Sequence, residues 1–152
     1  MKAPVDVVVA VHAPTRPIAR AVASVLDGNG SHTRLTVVCH NVSPEVIGAE
    51  LPAHHRDQVR WLEHHDDMPS ASGPFNAGMR AATGDFVSIM GSDDTLQPGA
   101  VASWLDLAHR SGADCVMTRL TLGSSARRVP TPPMRLLHAQ TRLADAIRDR
   151  LS

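Results

Sequence analysis

Val5 to Val11 reads V-D-V-V-V-A-V, a nearly unbroken β-branched run that predicts a strand buried on both faces. Ile18, Val22, Val25 and Leu26 then recur at helical spacing, with Thr15 placed to cap the helix and Asp27-Gly28-Asn29-Gly30 to stop it. Leu35 to Cys39 (L-T-V-V-C) predicts a second buried strand. Ser43-Pro44-Glu45 opens a short helix, Pro52 closes that region, and Val59 to Glu63 gives a third, weakly patterned strand. Pro74 to Ala82 reads as a helix closed by Thr83-Gly84, and Phe86 to Met90 as a fourth buried strand that breaks at Gly91. Pro98 to Ser111 is the clearest helix, with Val101, Trp104, Leu105 and Ala108 on one face and Gly112 as its stop. Ala113 to Leu120 is expected as a fifth strand. Strand and helix alternate with short connections, which predicts an α/β fold with a mostly parallel sheet flanked by helices.

This pattern places one α/β domain at residues 1–122, a Pro/Ser-rich linker or loop at 123–133 and an amphipathic helix at 134–152. The last helix carries Leu136, Leu137, Leu143, Ala144, Ile147 and Leu151 and offers a face for pairing with another copy of the chain.

Composition narrows the function. Lys+Arg and Asp+Glu are both 15, so no global field draws the chain to nucleic acid or to a membrane surface. There is no Tyr, and two Phe and two Trp make a poor stacking platform for single strands. No apolar run has the length of a membrane span, and M-K-A-P-V-D lacks the apolar core of a signal peptide, so the expected location is the cytoplasm. Cys39 and Cys115 both lie in apolar strand-like runs and are expected as buried, reduced thiols.

The candidate chemistry centres on Gly91-Ser92-Asp93-Asp94, directly after the fourth strand. Open α/β sheets bind ligands at the carboxyl ends of their strands, and carboxylates there can hold a hard cation that in turn binds phosphate. The alternative is a turn in which the Asp side chains cap backbone N–H groups. The nine histidines include the adjacent pairs His54-His55 and His64-His65 but no H-E-x-x-H, so no zinc site is expected. His64 to Asp67 form a polar loop that could reach the cleft, although solvated loop polarity is the simpler reading. No dinucleotide-binding or P-loop glycine pattern occurs.

Three stretches together resemble family 2 glycosyltransferases of the GT-A fold. They are V-D-V-V-V-A-V-H with A-S-V-L (Val5 to Leu26), G-P-F-N-A-G-M-R-A-A-T-G-D-F (Gly73 to Phe86) and G-S-D-D-T-L-Q-P-G-A (Gly91 to Ala100). The resemblance covers Val5 to Leu120 and implies a Rossmann-like donor-binding portion of a GT-A nucleotide-diphospho-sugar transferase, truncated before the acceptor half. It implies a nucleoside diphosphate sugar as donor and an acceptor that the sequence does not name. It further implies Asp93 as the main ligand of Mg²⁺ or Mn²⁺, supported by Asp94, with His12, His40, Gly73, Asn76, Ser92 and Asp93 near the donor.

Three departures from the family pattern bear on that site. Gly91 replaces the first acid of D-x-D, Cys39-His40-Asn41-Val42 replaces D-D-G-S, and Phe75 replaces the Arg before Asn-Ala-Gly. After Leu120 the acids are Asp145 and Asp149 on an Arg-rich helix, which supplies no convincing general base. Two readings result: an inverting, metal-assisted glycosyltransferase incomplete in this chain, or a degenerate GT-A-like module that binds without transferring. A nucleotidyltransferase is a third, disfavoured because Ala13-Pro14-Thr15-Arg16 lacks a glycine-rich basic loop.

Overall fold

A computed structural model describes residues 4–118, 121–122 and 127–128. The chain divides into two compact units, Met1–Ser103 and Trp104–Ser152. The first contains β1 (Val5–Val11), α1 (Ile18–Asn29), β2 (Thr33–His40), α2 (Pro44–Gly48), α3 (Ala53–Arg56), β3 (Arg60–His64), α4 (Ser72–Ala81) and β4 (Phe86–Gly91). Helix α5 (Ala100–Ser111) begins in the first unit and continues in the second. The second unit also pairs Thr121–Leu122 antiparallel with Arg127–Arg128, the latter inside the stretch expected as linker.

The four strands form one all-parallel sheet in the order β3-β2-β1-β4. The chain steps one way from β1 to β3 and then crosses back to the far side of β1. With right-handed crossovers, that reversal puts α1 and α4 on opposite faces. The valines of β1 have essentially no exposure because helices cover both faces, and Leu35, Val37, Val38 and Cys39 of β2 are equally buried. Ile18, Ala21, Val22 and Val25 bring the apolar stripe of α1 into the same core. Glycine at 78 lets α4 approach the sheet closely, since a Cβ there would collide with Val8 and Val38.

Several expectations need correction. Thr15 does not cap α1: the helix starts at Ile18, after Pro17, with no side-chain cap. Helix α5 starts at Ala100 rather than Pro98, because Gly99 has φ +74° and breaks the helical path. The fourth strand is not buried on both faces. It pairs only with β1 among the described residues, and Val87 and Ile89 stand 45% and 48% exposed. Residues 113–118 form no strand, and Cys115 is exposed rather than buried. An apolar run becomes a strand only when a neighbour completes its hydrogen bonds, and these residues pair with none of the described strands. The helix expected at 134–152 lies outside the described residues. No described helix is long and apolar enough to cross a membrane.

At the amino ends of the strands a clamp holds the sheet in register. Asp6 lies opposite Arg34 on β2 and accepts from its Nε and Nη2, each at 2.7 Å. It also accepts from the Thr83 and Gly84 N–H groups just before β4. Burial alone would raise the Asp6 pKa, but these donors and the Arg34 charge outweigh it and hold the carboxyl below its ordinary value.

Candidate functional site

The opposite, carboxyl ends of the strands open into a cleft of about 830 Å³, within the usual range for small-molecule sites. It lies where the strand order reverses, between the ends of β1 and β4, the position at which doubly wound sheets bind ligands. His12 and Arg16 enter from the segment after β1, His40 and Asn41 from the end of β2, and Asp66 and Asp67 from the loop after β3. Pro74 and Phe75 enter from the first turns of α4, and Gly91, Ser92 and Asp93 from the end of β4.

One wall is a hydrogen-bonded cluster around Asp66. Its Oδ1 lies 2.8 Å from His40 Nε2 and its Oδ2 2.6 Å from His64 Nε2. Hydrogen bonds from His64 and His40, with the Met68 N–H adding to them, hold the Asp66 carboxyl down at about 2. An ionised carboxylate only accepts, so both imidazoles present Nε2–H to it, and a neutral His40 then keeps Nδ1 as an acceptor. Asn41 joins the ends of β2 and β3 beyond their ladder. It adopts φ +56°, donates from Nδ2 to the Asp66 carbonyl at 2.8 Å and accepts the Asp66 N–H on Oδ1 at 3.2 Å. Asparagine tolerates this left-handed conformation better than most residues. Next to His40, burial first and then the charges of Glu63 and Glu45 push the Cys39 thiol up to about 12, so it is not a nucleophile at neutral pH.

The other wall is the turn after β4. Asp94 Oδ2 accepts the Gly91 N–H at 3.0 Å, and the Asp94 N–H returns to the Gly91 carbonyl at 3.2 Å. Asp93 faces the cleft, where its Oδ2 accepts from Arg16 Nη1 at 3.2 Å. The two neighbouring acids thus divide the two roles raised by the sequence: Asp94 ties the turn and Asp93 looks into the cleft. The chain beyond them is anchored to α1. Ser24 Oγ accepts the Leu96 N–H at 3.0 Å, and Asn29 Oδ1 accepts the Val101 N–H at 3.0 Å.

Of the residues singled out from sequence, His12, His40, Ser92 and Asp93 line the cleft. Gly73, Asn76 and Asp94 do not line it. Gly73 is needed for close approach instead, because a Cβ there would strike His64 and Asp66. Sequence reasoning misses Arg16 and takes the His64-to-Asp67 loop for solvated polarity. The available signal is position, since Asp66 and Asp67 lie just beyond the carboxyl end of β3.

The family model for glycosyl transferase family 2 matches residues 6–150. The chain belongs to glycosyl transferase family 2. Among solved structures it is similar to residues 1–349 of TarS from S. aureus, with TM-score 0.64 and 17% identity over 86% of this chain and 39% of that one. The same protein in complex with UDP-GlcNAc gives TM-score 0.62 and 19% identity over 86% and 37%. Its complex with UDP gives 0.55 and 18% over 72% and 33%. At these identities the likeness concerns the fold, a part of the GT-A architecture, and this chain spans well under half the length of those TarS chains. No curated protein matches the chain.

Proposed function

We propose that this family 2 domain binds a nucleoside diphosphate sugar in the cleft at the β1/β4 reversal and serves inverting transfer of the glycosyl group to an acceptor hydroxyl. The observation that carries the reading is the pair of walls on that cleft: His40 on Asp66 at one side and Asp93, with Arg16, at the other. A uridine diphosphate sugar is the first donor to test, because the solved TarS chain similar in fold was captured with UDP-GlcNAc. In this reading His12 and His40 meet the base, while Ser92 and Asp93 sit toward the diphosphate. Mg²⁺ and Mn²⁺ need only one or two protein carboxylates when phosphates complete their shell, and the cleft-facing Asp93 fits that requirement. Such an ion, when bound, neutralises charge on the departing diphosphate. Asp93 supplies the carboxylate that holds it, and Asp94 keeps the turn in place through Gly91. Gly73 and Asn76 act from the first turns of α4, Gly73 by letting that helix close on His64 and Asp66.

The test is the melting temperature of the chain against UDP, UDP-GlcNAc and other nucleoside diphosphate sugars, with and without Mn²⁺. At a ligand concentration of about 100 Kd the fold gains roughly 2.7 kcal/mol, a readable shift. The cation-dependent part is expected to vanish in Asp93→Asn. A shift that is the same in Asp93→Asn and wild type would remove Asp93 from the site. Gly91 in place of the first acid and Phe75 in place of the arginine favour a second reading, a module that binds the donor without transferring from it. Release of free sugar or a glycosylated product from bound donor would exclude it.

A further inference from the structure

Arg16 and Asp93 are 77 positions apart in sequence and meet on one wall of the cleft, Nη1 to Oδ2 at 3.2 Å. Both side chains are about half exposed, 44% and 56%, so neither is locked in place by packing. This contact occupies an oxygen of the cleft-facing carboxylate that the proposed donor site assigns to the cation. We infer that Arg16 competes with the divalent cation for Asp93, so that cation and nucleoside diphosphate enter the cleft as a linked pair. The inference rests on the proposed donor site for the identity of the second ligand.

A cation arriving alone meets a carboxylate whose Oδ2 and charge are already shared with a guanidinium, which weakens its hold unless Arg16 moves away. A nucleoside diphosphate arriving alone can draw Arg16 away, since a guanidinium forms two parallel charge-assisted hydrogen bonds with phosphate oxygens. That leaves Asp93 without its counter-charge. Arriving together, the two ligands satisfy every group: the diphosphate takes Arg16, and Asp93 takes the cation, whose shell the same phosphates complete. Each ligand therefore tightens the other, by the same factor in both directions. Asp94 stands outside this exchange, since it does not line the cleft and its Oδ2 accepts the Gly91 N–H.

The experiment is Mn²⁺ titration of the full chain by electron paramagnetic resonance, at fixed ionic strength, without and with saturating UDP. The variants are Arg16→Gln, Asp93→Asn and Arg20→Gln. Arg20 is exposed on α1, outside the cleft lining, and controls for the lost charge. Arg16→Gln is expected to tighten Mn²⁺ without nucleotide by about three- to five-fold, the size an exposed ion pair reaches. It should also shrink the factor by which UDP strengthens Mn²⁺ binding, while Arg20→Gln does neither. Asp93→Asn should lose Mn²⁺ in both conditions. The inference is overturned if Arg16→Gln binds Mn²⁺ no more tightly than Arg20→Gln, if the UDP factor is unchanged, or if Asp93→Asn keeps wild-type affinity. Absence of UDP binding in all variants would sink the donor reading, whereas the Mn²⁺ titration without nucleotide decides the competition separately.

Discussion

At the amino ends of the strands Asp6 is about 1% exposed on its side chain and accepts from four donors, two on Arg34 and two on the backbone before β4. At the carboxyl ends Asp66 also gathers several donors, but its side chain is a quarter exposed and its partners are two imidazoles on the wall of a cleft. Asp93 goes further, holding one contact to a half-exposed arginine. The same carboxylate is thus fully committed at one end of the sheet and progressively less so at the other. Saturation with fixed donors makes a structural clamp. Partners on side chains that can swing away leave a carboxylate that can respond to a ligand.

The sharpest way to break this contrast is to neutralise each acid and compare the losses. Asp6→Asn leaves the Arg34 guanidinium without its counter-charge and turns an amide toward N–H donors. Breaking such a pair in the interior costs several kcal/mol, and the partial exposure of Arg34 lowers this to about 2–4 kcal/mol, read as a drop in the urea midpoint. A smaller effect is expected in acid. Asp66 titrates at about 2 when folded against 3.8 for an ordinary aspartate, so its contribution is intact above pH 5. It is lost progressively as the pH falls through 4 toward 2, because the unfolded chain takes up the proton first. Urea midpoints measured from pH 5 to pH 2 should therefore fall less steeply in Asp66→Asn than in wild type, and equal slopes would contradict the hydrogen bonding described. Least of all, Asp93→Asn should change stability by no more than about 0.5 kcal/mol, the range of exposed substitutions, while altering ligand binding. A stability loss comparable with that of Asp6→Asn would mean that Asp93 is structural after all.

Much of this arrangement is legible in the sequence, for reasons that individual segments make clear. Val5 to Val11 and Leu35 to Cys39 are strands because only a two-sided burial suits such runs, and both are found as read. Phe86 to Met90 has the same composition, yet composition reports that a segment is extended and not whether it sits centrally or at an edge. The exposure of Val87 and Ile89 is therefore invisible in the sequence. His12, His40, Ser92 and Asp93, expected from the family resemblance, line the cleft because each lies at or just beyond the carboxyl end of a strand. Asp66 has the same kind of position beyond β3, but its partners, like that of Arg16, are fixed only when distant segments meet. The Arg16–Asp93 contact joins the first and fourth strand ends, a proximity created by the reversal of strand order.

The Asn41 bridge carries a mechanical consequence. It zips the ends of β2 and β3 together past their last ladder bond, so the Asp66 wall is braced by two strands and by α4 behind Gly73. The opposite wall hangs from β4, which has one strand neighbour among the described residues and a face open to solvent. The cleft therefore has one stiff jaw and one compliant jaw. In hydrogen exchange the amides of β1 and β2 should be the last to open, and those of β4 and the Gly91–Asp94 turn should open earlier and slow most when ligand is added.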